Sequence, residues 1–145
     1  HGDVKGYYEF IRPAIEEFDD VELITASKQN RVPHNKMGSF YSRGHVYLNF
    51  SSSEGTPMPL LESMACGRAV ITTNVGISEE VVTDGENGWV IPRTLESLVS
   101  CIDNCRKQMS DLQMMGLKAY KSVEERTYDW SAMHYEELFD SVYDS

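Results

Sequence analysis

Two carboxylates, Glu54 and Glu62, bracket the segment Gly55-Thr56-Pro57-Met58-Pro59-Leu60-Leu61. A carboxylate repels phosphate but accepts well from sugar hydroxyls. The residues between the two acids suit the opposite task. Prolines at 57 and 59 fit only the first turn of a helix, so a helix starts here, and Gly55 before it allows close backbone approach. The first N–H groups of a helix lack internal partners and carry about half a positive charge in the macrodipole, which makes a cradle for an anion. Pro57 and Pro59 remove two of those donors. The usable set is then the N–H groups of Gly55, Thr56, Met58 and Leu60, with the hydroxyls of Ser53 and Thr56. Acceptors at both ends and an anion cradle between them match an extended ligand of sugar, diphosphate and ribose. A plainer reading fits the same residue types: Glu54 complements the helix dipole, and Glu62 is a solvated helix residue.

Such a segment must be delivered by a strand. His45 to Phe50 is β-branched and aromatic and reads as that strand, with Ser51 to Thr56 as the loop and Pro57 to Ala65 as the helix, stopped by Gly67. Ala69 to Thr73 reads as a buried strand, Val75 to Val82 as a loop and short helix, Asp84 to Gly88 as a double turn, and Trp89 to Ile91 as a last strand ended by Pro92. Upstream, Tyr7 to Phe18 is helical with Pro13 kinking or restarting it, Val21 to Ala26 is a short strand, and His34 to Ser42 is a helix spaced by Met37, Phe40 and Tyr41. Downstream the pattern is purely helical. Leu95, Leu98, Val99 and Ile102 form one stripe; Leu112, Met115, Leu117 and Tyr120 form another, with Gly116 a weak point. A third helix spans about Ser131 to Val142, with Ser131 as its N-cap. Met109, Met114 and Met115 read as core filler. Strands alternating with helices predict an α/β fold: a Rossmann-like, doubly wound parallel sheet flanked by helices, with a helical C-terminal segment. Ligands of such sheets bind beyond the carboxyl ends of the strands, where the loop Ser51 to Thr56 falls.

The chain has 145 residues, 41% apolar and 25% charged, the size and balance of one globular domain. It contains no apolar run near the roughly 20 residues of a membrane helix. The opening His1-Gly2-Asp3-Val4-Lys5 is neither a signal nor a transit peptide and lacks an initiator Met, which suggests a fragment. Cys66, Cys101 and Cys105 are odd in number and lie in apolar helical stretches, as expected of buried thiols in a reducing compartment. Cys101 and Cys105 share a helix face, but no third or fourth ligand stands nearby, so no metal site is expected. A net charge of −10 disfavours nucleic acid or an anionic membrane as a partner. Yet no acid lies between Glu22 and Glu54, where Lys28, Arg31, Lys36 and Arg43 all fall. This stretch is either a solvated basic edge or a place where an anionic ligand meets a less negative background.

From Glu54 onward the sequence resembles the donor domain of GT-B fold glycosyltransferases of the large group-1/family-4 type. Glu54 to Glu62 matches that family's E-x7-E motif. Leu61-Glu62-Ser63-Met64-Ala65-Cys66-Gly67-Arg68-Ala69-Val70-Ile71 is similar to its "LEAMACGxPVI" stretch. Val75-Gly76-Ile77 with Glu80 to Gly88 resembles "GGxPEvVxDGxNG", and Tyr128-Asp129-Trp130-Ser131 the "sW" before the last helix. Ser78-Glu79 departs from the pattern, standing where a Pro is usual. The resemblance covers roughly residues 45 to 135. It implies that Glu62 hydrogen-bonds the nucleotide ribose and Glu54 the donor sugar near its anomeric carbon. Ser53, Gly55, Thr56, Pro57, Met58 and Leu60 would form the cradle for sugar and diphosphate. Lys5-Gly6 matches the family's "KG", whose lysine neutralises the diphosphate leaving group. The implied reaction is transfer of a sugar from a nucleoside diphosphate sugar with retained anomeric configuration. It needs no cofactor or metal, in keeping with the lack of an Asp-x-Asp pair. Residues 1–145 would be a single donor-binding domain, with the acceptor held by an N-terminal domain that is absent together with the first strand. Such a piece has no nucleic-acid partner and no direct membrane contact. It would be cytoplasmic, with peripheral membrane association only through the other domain, and inactive alone. The alternatives are a GT-B-like nucleotide-sugar epimerase and a non-catalytic nucleotide- or glycan-binding module, which would not need both Glu54 and Lys5.

Overall fold

The computed structural model describes residues 3–27 and 29–126. Three strands, β1 (Val46–Asn49), β2 (Ala69–Thr72) and β3 (Gly88–Val90), form a parallel sheet in the order β1-β2-β3. Val46 pairs with Ala69 and Val70 with Gly88. The central β2, Ala-Val-Ile-Thr, is buried along its whole length, as expected of a parallel strand covered on both faces. Its side chains alternate between two cores. Ala69 and Ile71 join Ile11, Ala14, Phe50, Leu98, Ile102 and Leu112 on one face, while Val70 joins Leu60, Met64, Val81, Val82 and Ala119 on the other.

Helices supply both outer layers: α1 (Arg12–Glu16), α2 (Met37–Tyr41), α3 (Met58–Ala65), α4 (Ser78–Val81), α5 (Leu95–Lys107) and α6 (Met109–Val123). The expected stop of α3 at Gly67 is present. Gly67 has φ 69°, its N–H bonds Met64 O at 2.8 Å, and Arg68 N–H reaches back to Ser63 O at 3.1 Å, the paired bonds of a Schellman ending. Thr94 caps α5 by accepting from Ser97 N–H.

Four local expectations are corrected. Val21 to Ala26 forms no strand: a strand exists through its ladder, and among the described residues nothing pairs with this segment. Val21 and Leu23 still pack against the first core, which accounts for their apolar character. Tyr7–Ile11 is a π-helical turn that runs into α1, so the chain widens just before Pro13, where an α-turn would press the ring on the carbonyl four residues back. His34 to Ser42 divides into a 3-10 turn, His34–Lys36, and α2. Gly116 is not a weak point but the close approach of α6 to the turn after α3, where a Cβ would meet Gly67 O at 2.1 Å. Cys101 and Cys105 are buried in the core and Cys66 is half-buried, all three as free thiols. The expected helix at 131–142 and the Tyr128–Ser131 resemblance lie outside the described residues.

Candidate functional site

Four segments meet beyond the carboxyl ends of the strands. The loop after β1 is anchored first. Thr73 Oγ1 donates to Ser51 O at 2.6 Å, and Thr73 N–H to Asn49 O at 3.1 Å, so the ends of β1 and β2 are stitched side by side. Gly76 then presses on the loop. It has φ 55°, and a Cβ there would lie 1.8 Å from Gly55 O, so only glycine lets these backbones meet. Ser52 N–H donates to Val4 O at 2.8 Å, tying the Asp3–Gly6 turn to the same place.

That tie brings Lys5 to Glu54, 49 residues away. Lys5 Nζ pairs with Glu54 Oε1, and Ser51 Oγ donates to the same oxygen at 2.7 Å. Burial works to raise the Glu54 pKa, but the hydrogen bonds from Lys5 and Ser51, with the lysine charge, outweigh it and hold the carboxyl below its ordinary value. The two partners differ in freedom: the lysine side chain is 68% exposed and the glutamate 16%. Gly6 is as constrained as Gly76, with φ 69° and room for no Cβ, which would stand 2.7 Å from Phe50 O. Arg93, just past β3, braces this corner from behind. Its guanidinium donates to Asp3 O at 2.8 Å and to Phe50 O at 3.2 Å while lying over the Phe10 ring.

Glu62 stands on the second turn of α3. Its Oε2 accepts from Tyr41 Oη at 2.8 Å. Tyr41 meets Tyr47 edge to face, with ring centroids 5.9 Å apart. Burial, with Glu54 and Glu62 both adding to it, pushes the Tyr47 phenol up to about 12. One tyrosine thus feels the charge of both carboxylates.

The N–H groups expected to form the cradle fall into two sets. Gly55 and Thr56 N–H make no hydrogen bond among the described residues, and Ser53 and Thr56 are exposed. Met58 and Leu60 are corrections as donors. Met58 N–H bonds Thr56 O at 2.9 Å and Leu60 N–H bonds Pro57 O at 2.9 Å, because the tight turns before α3 consume them. Pro57 is buried, and Leu60, fully buried, is a core residue; Met58 stays exposed. Sequence reasoning misses Ser51, Tyr41 and Arg93. Ser51 stands in a loop that is polar throughout; Tyr41 reads only as helix spacing, and Arg93 carries no signal. Two concavities, of about 590 and 680 Å3, lie away from the carboxylates, one lined by Phe18, Leu95 and Val99 and one between Cys66 and α6. Among the described residues no three His, Cys, Asp or Glu side chains stand close enough to hold a metal ion. No described helix is long and apolar enough to cross a membrane.

Residues 27–122 match the family described as glycosyl transferases group 1. A phosphatidylinositol N-acetylglucosaminyltransferase subunit of Arabidopsis thaliana is 29% identical over 115 residues, which cover 75% of this chain and 25% of that protein. Among solved structures, sucrose-phosphate synthase from Thermosynechococcus elongatus superposes with a TM-score of 0.72 at 21% identity, over 92% of this chain and 34% of that one. Anabaena HepE in complex with UDP superposes with a TM-score of 0.59 at 18% identity, over 72% of this chain and 29% of that one. The chain therefore spans only a quarter to a third of the length of these proteins, and the two structural likenesses carry the GT-B fold. With the family match covering the loop after β1, both carboxylates and Gly76, the chain belongs to the group 1 glycosyl transferases.

Proposed function

We propose that this chain is the donor-binding domain of a retaining glycosyltransferase, and that it holds a nucleoside diphosphate sugar at the carboxyl edge of the sheet. The observation that carries the reading is the pairing of Lys5 with Glu54 beside the N–H groups of Gly55 and Thr56, which make no hydrogen bond among the described residues. A cation, a carboxylate and two backbone donors at one point are what a sugar joined to a diphosphate requires. Breaking the bond between the anomeric carbon and the phosphate oxygen leaves the electron pair on the diphosphate. Lys5 and the two N–H groups offset that charge as it develops. Glu54 orients the sugar through its hydroxyls, and Glu62 accepts from the ribose at the far end. The Anabaena neighbour is a complex with UDP, which supports a nucleotide as this chain's ligand. The acceptor belongs to a second domain of the whole protein, and transfer proceeds without a metal.

Titration of the full chain with UDP-, GDP- and ADP-sugars tests the reading. Binding of at least one is expected, weakened about ten- to a hundredfold by Glu62→Ala with the fold retained, the loss appropriate to hydrogen bonds on a charged acceptor. Equal affinity of the wild type and Glu62→Ala for every one of them overturns the ribose assignment. Product analysis by NMR on the whole protein with its acceptor then distinguishes retention from inversion.

A further inference from the structure

The carboxylate of Glu62 is held on one side only. Among the described residues its sole hydrogen-bond partner is the Tyr41 hydroxyl, 2.8 Å from Oε2, and Oε1 has none. Tyr41 itself is 6% exposed, and its ring is fixed edge to face against both Phe40 and Tyr47. Burial first, then the hydrogen bond to Glu62 and its charge, raises this phenol far above its ordinary range. It therefore stays protonated, and its oxygen faces Glu62 as a donor. A glutamate left alone rotates freely about its last torsion, which is broad. A buried donor on one oxygen removes that freedom and aims the other oxygen outward.

We propose that Tyr41 is a positioning residue for nucleotide recognition. By fixing Oε2 of Glu62 it presents Oε1, and the remaining lone pair of Oε2, to the vicinal hydroxyls of the ribose. The proposal rests on the ribose role given to Glu62 above. It assigns the discrimination between ribose and a sugar without those hydroxyls to a pair of residues 21 apart. Tyr41 lies on α2, outside the segment between the two glutamates, so the specificity element begins earlier in the chain than the carboxylates themselves.

The test compares the tightest of UDP, GDP and ADP with its 2′,3′-dideoxy counterpart on the full chain, by calorimetry. Wild type is expected to bind the ribonucleotide more tightly. Tyr41→Phe keeps the ring and its packing; it is expected to raise Kd for the ribonucleotide about tenfold and to leave Kd for the dideoxy analogue unchanged. In a Glu62→Ala background the same substitution should change neither. If Glu62→Ala itself preserves the preference for the ribonucleotide, the ribose role of Glu62 falls, and the proposal falls with it. If Glu62→Ala abolishes the preference while Tyr41→Phe preserves it, Tyr41 is overturned and Glu62 stands. Equal weakening of both nucleotides by Tyr41→Phe, or weakening that persists without Glu62, makes the hydroxyl merely structural and also overturns the proposal.

Discussion

The two ends of the carboxylate pair are held by different means. Glu54 is bound by a charge, Lys5, whose side chain is mostly exposed and arrives from a turn 49 residues away. Glu62 is bound by a neutral phenol that is buried and packed against two other rings. A charged partner on an exposed stem can leave when an anion competes for it, and what remains is a carboxylate held by Ser51 alone, with lone pairs open to hydroxyls. A buried phenol cannot leave without opening the core. On the proposed donor-site reading, the Glu54 end would then rearrange when the donor binds and the Glu62 end would stay as it is. The first suits a place where charge moves during reaction, the second a place that measures shape.

That contrast separates turnover from binding, and substitutions can break it. The largest effect is expected of Glu54→Gln: kcat falls about a hundred- to a thousandfold, the range seen when one preorganised electrostatic contact to a transition state is lost. Its affinity for the free nucleoside diphosphate should hold or tighten, because Lys5 no longer has a competing carboxylate. A clear weakening of nucleotide binding would mean that the two ends act alike. Glu62→Ala is expected to do the reverse, raising KM for the donor about ten- to a hundredfold with kcat at saturation changed little. Steady-state kinetics on the whole protein, acceptor domain included, with both constants resolved, decides between them.

Arg93→Met is a smaller perturbation that asks whether the Lys5 end depends on its brace. The substitution removes two hydrogen bonds to backbone carbonyls, one from each segment of the corner, while keeping apolar cover on Phe10. kcat/KM is expected to fall about tenfold, in line with hydrogen bonds from a charged donor, with nucleotide discrimination between ribose and dideoxyribose retained. Loss of that discrimination would join the two ends into one mechanical unit.

The sequence discloses what depends on local pattern and little of what depends on meeting at a distance. Ala69 to Thr73 reads as a buried strand from its run of apolar residues, and Ala69–Thr72 is one, buried along its whole length. Gly67 reads as a helix stop because α3 runs out at that point. Glu54 and Glu62 stand out by spacing, and Lys5 through a two-residue resemblance, but their convergence needs the Ser52–Val4 tie, which no spacing encodes. Tyr41 looks like one apolar position of a helix, since a phenol that packs and a phenol that donates have the same periodicity. Met58 and Leu60 look like free donors in the sequence because the tight turns that use their N–H groups form only in three dimensions. Val21 to Ala26 shows the converse: strand-like residues do not make a strand without a neighbour.

The smallest prediction concerns pH and tests the charge on the Glu54 end directly. In the fold this carboxyl titrates below its ordinary 4.5, so its deprotonated form is the one the fold favours. Stability from such a group is complete above the unfolded-state value and disappears as pH falls through the lower, folded value. Because Lys5 is mostly exposed, the pair contributes little, as surface pairs do, so Glu54→Gln should lower Tm at pH 7 by only about 1–3 °C. Below 4.5 the gap should narrow, and it should close once the folded carboxyl is protonated, since a neutral carboxyl and an amide then face Lys5 alike. Scanning calorimetry of both proteins from about pH 7 to about pH 3 resolves this. A gap that persists unchanged at acid pH would show that Ser51 and packing, rather than the lysine charge, hold Glu54, and the contrast between a movable end and a fixed one would fail there.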